Sequence, residues 1–166
     1  MAADQSLANA KTSISIPRER YDQLRSEQNL PLALLAGIGA AFIGAAVWAT
    51  VTVMTEFQIG YMAIAVGFIV GYAVRLGRGI EKIFGIIGGI FALFGCALGN
   101  VFSLIGFISK QHHLSILDTV SRLDLTKIPQ LLTANFSVMD LVFYGIAVYE
   151  GYRFSFRRLT SADAAL

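Results

Sequence analysis

Residues 31–54 read PLALLAGIGAAFIGAAVWATVTVM, 24 residues without one charged side chain. At 1.5 Å of rise per residue, a helix over this stretch is about 36 Å long, more than the ~30 Å hydrocarbon core of a bilayer. The start of the helix is marked twice. Asn29 can accept a hydrogen bond from a first-turn N–H, and Pro31 stands where a missing N–H costs nothing. Working outward, Thr55 to Gln58 form a tight turn and residues 59–74, IGYMAIAVGFIVGYAV, make a second apolar stretch. It reaches only about 24 Å as a helix, so Gln58 and Arg75 are expected to extend it by snorkelling. A basic turn, Arg75 to Lys82, leads into residues 83–108, interrupted only by Asn100 and Ser103. A weaker stretch, 138–156, contains Asp140, Glu150 and Arg153. The expected fold is all-α: a membrane protein built as a four-transmembrane-helix bundle over residues 30–156. A polar segment, 1–29, precedes it and a short tail, 157–166, follows.

Composition agrees with lipid as the medium. Of 166 residues 55% are apolar and 14% charged, against about 25% charged in a soluble domain; mean hydropathy is +0.64. The net charge of +2 is too small and too dispersed for a nucleic-acid binder. The one cysteine, Cys96, lies inside an apolar run and cannot form an intrachain disulfide. The first 29 residues lack a short apolar region followed by a small-residue cleavage site, so no cleavable signal peptide is expected. Lysine and arginine are segregated. With four spans, ten of the thirteen fall on the side shared by the N-terminal segment, the 75–82 turn and the tail. The positive-inside rule then puts both termini in the cytoplasm.

Small residues recur at four-residue spacing: Ala33, Gly37, Ala41, Ala45 and Ala49 in the first span, Ala63, Gly67 and Gly71 in the second, Gly85 and Gly89 in the third. In lipid such seams mark close helix contacts. They number more than one face per helix, so two readings stand: all pack within one chain, or the surplus joins copies of the chain into a homo-oligomer. Between the third and fourth spans, Leu114, Leu117, Val120 and Leu123 recur every three residues. They predict a short amphipathic helix in the external loop, lying on the membrane or on the bundle.

Few residues offer chemistry. Glu150 lies about 18 Å down its span, and a charge at that depth costs on the order of 3 kcal/mol unless paired, protonated or wet. Two readings stand: a structural pair with Arg153 or Arg75, or a carboxylate that handles protons or cations. Asp140, three residues after Ser137, fits a helix cap or an external ion site. Asn100 and Ser103 fit hydrogen bonds across helices or a polar path. His112 and His113 are adjacent, so on a helix they diverge by about 100°, and no third ligand stands near them. Arg75, Arg78 and Lys82 form a turn suited to anionic lipid head groups, without the Gly-Lys-Ser/Thr of a phosphate loop. No cofactor or metal, and no nucleophile–base or paired-carboxylate site, is expected.

The stretches EQNLPLALLAGIGAAFIGAAVWA (27–49), QIGYMAIAVGFIVGYAVRLGRG (58–79), FGIIGGIFALFGCALGN (84–100) and MDLVFYGIAVYEGYRFSF (139–156) resemble a type of small bacterial integral membrane protein usually labelled only as uncharacterised. The resemblance spans most of the chain and implies a bacterial inner membrane and four spans. It carries no activity and no functional residues. Some of those relatives place a zinc-ribbon-like module before the spans; residues 1–29 here hold no cysteine or histidine. The expected function is a non-enzymatic membrane component, a small oligomeric scaffold or an accessory subunit of a membrane assembly. The alternative is a small ion channel or transporter using Glu150 and Asn100.

Overall fold

The computed structural model describes residues 18–57, 60–122, 124, 126, 130, 133 and 138–158. Six helices are named along them: α1 (Arg18–Ser26), α2 (Leu30–Thr55), α3 (Tyr61–Arg75), α4 (Lys82–His112), α5 (Ile116–Arg122) and α6 (Val138–Phe154). No strand occurs among the described residues. α2 begins as its sequence predicts, with Asn29 Oδ1 accepting from Leu32 N–H at 2.9 Å and proline in the first turn. Its threonines tolerate an apolar setting because Thr50 and Thr55 donate their hydroxyls to Ala46 O and Val51 O one turn back. α4 runs to His112, one turn beyond the expected end at 108. His113, in the left-handed region at φ 50°, closes it.

α2 and α4 are long and apolar enough to cross a membrane; α3 is a shorter apolar helix of 15 residues. Only 33% of the apolar stretch of α2 and 28% of that of α4 are buried inside the protein. A core helix of a soluble domain would be mostly buried. The large side chains point outward: Leu34, Leu35, Ile38, Phe42 and Ile43 on α2, and Ile83, Ile86, Ile90, Leu93 and Phe94 on α4, are exposed. What lies inside is small, with Ala33, Ala41, Ala45, Ala63, Ala92 and Ala147 fully buried around Trp48, Val66, Val70, Val74 and Phe84.

The contacts fix which helices touch and in which direction they run. Going along α2 from Gly37 to Ala41, Trp48 and Val53, the partners on α4 advance from Phe91 to Gly95, Gly99 and Gly106. These two helices therefore lie side by side and parallel. Gly60, Gly67 and Gly71, at and along α3, meet Phe143, Ala147 and Phe154 of α6 in the same order, so α3 and α6 also run parallel. α3 packs on α2 as well, Gly44 facing Val66, and α4 packs on α6 through Gly88 and Gly151.

Six of the small residues singled out as contact positions face a neighbour within the chain. Gly37 sits under Phe91 and Val74, Gly67 on the backbone of Ala147, and Gly71 on Phe154 and the backbone of Glu150. Gly85 meets Tyr152 and Phe156, Gly89 meets Val148, and Ala41 is fully buried beside Gly95. At these six positions the seams are used inside one chain. Sequence spacing could not reveal this, because a central pair of helices needs two or three small faces each.

The loop helix departs from its predicted stripe. α5 spans seven residues and turns Thr119 inward, while Leu117 is 83% exposed and Ile116 and Val120 are also exposed. The inward threonine is satisfied by Ser115 O at 2.9 Å. Leu123 lies outside the described residues. Ile116 and Val120 instead border a cavity of about 480 Å³ with Ala46, Ala49, Phe102 and Gly106.

Substitution should separate the two kinds of glycine. A Cβ at Gly151 would lie 2.6 Å from Gly88 O, and at Gly67 2.6 Å from Ala147 O, whereas Gly39 and Gly145 have nothing within 4 Å. Gly151→Leu or Gly67→Leu is expected to lower stability by at least the 1–3 kcal/mol of an overpacked core, read as a lower thermal midpoint in detergent. Gly39→Ala and Gly145→Ala should leave it unchanged or raise it by up to about 1 kcal/mol.

Candidate functional site

At one end of the helices, three separate parts of the chain converge. α1 anchors there by Leu24, which is fully buried. Beyond it, Gln28 turns its Oε1 to accept from Ile80 N–H and Glu81 N–H at 3.2 and 3.4 Å. Asn29 N–H donates to Gly77 O at 2.9 Å, and Arg157 N–H donates to Gly79 O, also at 2.9 Å. The backbone carbonyls of the 75–82 turn therefore tie the segment before α2 to the segment after α6. The two glycines of this turn are needed for close approach. A Cβ at Gly77 would lie 2.6 Å from Asn29 O, and one at Gly79 would overlap the ring of Phe84. Sequence reading saw the turn's charges and missed this role, although two glycines in five residues were the available signal.

Ion pairs overlie the backbone contacts. Glu27 bridges Arg157 at 2.8 Å and Arg78 at 3.6 Å, and Arg25 meets Glu81 at 2.9 Å. The hydrogen bond from Arg157, with the positive charge of Arg157, Arg78 and Arg20 around it, holds the Glu27 carboxyl below the usual carboxylate range. Arg78 adopts φ 56° to reach this position. At the opposite end Lys110, on α4, pairs with Glu56 at 2.6 Å. Glu56 stands at φ 60° as the C-cap of α2, and its carboxyl is likewise lowered by the hydrogen bond from Lys110. The two ends of α2 are thereby fixed against the two ends of α4.

Between these ends the polar residues meet singly. Asn100 Nδ2 donates to Tyr144 Oη, and Tyr144 O–H donates to Cys96 O at 3.4 Å, joining α4 to α6. Ser103 turns back on its own helix and donates to Gly99 O at 2.7 Å. Trp48 lies against Gly99, 1% exposed, and its Nε1 and Thr52 Oγ1 are buried without a hydrogen-bond partner. Asp140 falls in the first turn of α6; Ser137, its expected capping partner, lies outside the described residues. His113 serves α4 through its backbone, where Leu114 N–H and Ser109 O close the helix end at 3.0 Å.

Glu150 departs from the pairing expected for it. It forms no ion pair with Arg75 or Arg153, and its Oε2 is buried without a hydrogen-bond partner. Arg153 turns instead toward aromatic faces, its guanidinium carbon 5.9 Å from the ring centres of both Tyr149 and Phe154. Phe154 in turn stacks with Tyr72 at 5.3 Å and packs on Phe68 at 4.7 Å. The cation–π position competes with the ion pair because an aromatic seam, absent from any one-helix reading, lies beside the arginine. Glu150, Asn100 and Asp140 therefore occupy separate helix contacts.

No protein-family model, curated protein or solved structure matches the chain.

Two measurements address these contacts. Tyr144→Phe and Asn100→Leu should each lower stability in detergent by about 0.6–2 kcal/mol. The double variant should lose little more than the worse single, because both remove one contact. Glu27, whose folded-state carboxyl is lowered, contributes stability above the ordinary carboxylate range and loses it as the pH falls through that range and below. Glu27→Gln should therefore lower the thermal midpoint at neutral pH and leave it nearer wild type in acid.

Proposed function

We propose that this protein is a non-enzymatic integral membrane component that crosses the bacterial inner membrane four times, through α2, α3, α4 and α6. The end bearing Glu27, Arg78 and Arg157 lies in the cytoplasm, and α5 lies outside. The protein serves as a small scaffold or accessory subunit of a membrane assembly. The observation that carries this reading is the inverted distribution of size, with alanine and glycine inside and leucine, isoleucine and phenylalanine outside. In water that exterior would cost about 25 cal/mol for each Å² left wet; in lipid it costs nothing, and close packing of small residues supplies the adhesion. α3 and α6 are shorter than the bilayer core, but each carries an arginine in its last turn, Arg75 and Arg153, whose aliphatic stem extends toward the interface.

Partners follow from the same surfaces. Self-association, or contact with other membrane subunits, falls to the exposed apolar faces, since the glycine seams are already occupied. Anionic head groups meet Arg75 and Lys82, which form no ion pair among the described residues. Arg78, expected to join them, is tied to Glu27. The rival reading, a small channel or transporter, loses Asn100 to Tyr144 and keeps Glu150.

Orientation is testable by single-cysteine labelling with a membrane-impermeant maleimide. Ser26→Cys and Arg158→Cys should react only after the cells are lysed, and His112→Cys should react in intact spheroplasts. Labelling of Ser26→Cys from outside would overturn the orientation. Labelling of all three from outside would overturn the crossing itself.

A further inference from the structure

We propose that the groove between α2 and α4, beneath α5, binds one phospholipid of the outer leaflet. Its acyl chain lies in the groove, and its zwitterionic head, a phosphate and an ammonium, lies against Lys110 and Glu56. The inference rests on the four-span reading and adds a site to it. The groove is the cavity of about 480 Å³ beside α5, within the ~300–1,000 Å³ of ligand sites. Ala49 and Val53 of α2 and Phe102 and Gly106 of α4 form its walls. Ile116 and Val120 of α5, both exposed in the chain alone, overhang it. The hydroxyl on its wall, that of Thr50, is spent on Ala46 O. A wall of this kind stays dry and takes an alkyl chain.

The groove has a direction. α2 and α4 run parallel and end on the same side, at Thr55 and His112. Ala46 and Phe102 therefore lie deep, and from Ala46 to Val53 the wall rises about 10 Å. At Val53, Gly106 and Ile116 the groove continues into a second hollow of about 440 Å³, bordered by Lys110 and His113. The Lys110 ammonium stands over this junction, 3.4 Å from Val53 O and 2.6 Å from Glu56 Oε1. An ammonium has three N–H donors and a carboxylate two oxygens. Among the described residues Lys110 thus keeps one donor, and Glu56 its second oxygen, for a ligand that carries both charges. A phosphate oxygen complements the first and an ammonium the second. A purely anionic head group would meet Glu56 with like charge. Lys110 and Glu56 are 50% and 68% exposed, so a head group reaches them.

Native mass spectrometry of the full-length protein in detergent tests the site, with phosphatidylethanolamine and phosphatidylglycerol as probes. The expected result is one phosphatidylethanolamine adduct, held more tightly than phosphatidylglycerol. A49F, which fills the groove, should weaken it about tenfold, a loss of about 1.4 kcal/mol. V47F, which adds the same ring to the exposed face of α2 outside the groove, should not. K110Q and E56Q should each remove the preference for phosphatidylethanolamine. Equal binding of the two lipids by the wild type, a preference that survives both charge changes, an A49F adduct as strong as wild type, or a dimer in place of the adduct would overturn the proposal. A second readout needs no variant. In liposomes, a phosphatidylethanolamine with a diazirine at its chain end loses N2 in light, and the carbene inserts into a neighbouring C–H bond. Adducts should gather on the peptides holding Ala46 and Phe102. Equal labelling of Ile69 and Tyr149, exposed on α3 and α6, would overturn the proposal as well. Failure of the four-span reading shows separately, in the maleimide pattern.

Discussion

α4 and α6 approach each other closely where Gly88 and Gly151 face each other. A Cβ on Gly151 would stand 2.6 Å from Gly88 O, and one on Gly88 would fall closer still to Gly151 O. Two backbones in such contact gain dispersion along their length, and that is the force available when solvent outside the helices is as apolar as the side chains. Other contacts follow from this separation. With α6 held so near, Ser155 must fold its hydroxyl back onto Gly151 O at 2.6 Å. α3 brings its backbone against α6 at Gly67 and Gly71. Alanine fills the space that remains, and the large residues have no place except the exterior.

Much of this was legible in the sequence, for a physical reason. A charge-free run of 24 residues gives a helix long and apolar enough to cross a membrane, and the cap at Asn29 with Pro31 behind it sets the start of α2 where it is found. The positions of the glycines were also legible as contact positions. Their partners were not. Spacing on one helix defines a face but not which neighbour meets it, and nothing in the spans indicates that parallel helices, α2 with α4 and α3 with α6, would be adjacent. Spacing therefore leaves open whether the extra small faces meet neighbours in the chain or other copies of it; Gly37, Gly67, Gly71, Gly85 and Gly89 meet neighbours in the chain. The error at Leu117 has a related origin. The repeat runs over ten residues, 114–123, but α5 covers only seven, Ile116–Arg122, and Thr119 turns inward because Ser115 O satisfies it.

Charge was the less legible part. The 75–82 turn reads as a lipid anchor through Arg75, Arg78 and Lys82, yet Arg78, with Arg157, is engaged with Glu27, and Arg25 with Glu81. Exposed pairs of this kind are worth little individually. Their place above a set of backbone hydrogen bonds, Asn29 to Gly77 and Arg157 to Gly79, gives them a joint effect: they close the one end where three segments meet. This closure sets the axial position of α2, α4 and α6 together, with Lys110 and Glu56 repeating it at the far end.

Between two charged ends the natural filling is neutral, and nearly all of it is. Asn100 and Tyr144 satisfy each other, and Ser103, Ser155 and Thr50 turn back on their own helices. Glu150 breaks the pattern by one turn. A carboxyl four residues further along α6 would join the arginines at the interface, and a glutamine at 150 would carry no charge at all. Of the three side chains with a buried, unpartnered polar atom among the described residues, Trp48, Thr52 and Glu150, only Glu150 is a carboxyl, and such a departure from local consistency is where a function is to be sought. A purely structural pair would have drawn Arg153 away from the rings of Tyr149 and Phe154. It remains over them, and one carboxyl oxygen of Glu150 is left buried without a hydrogen-bond partner.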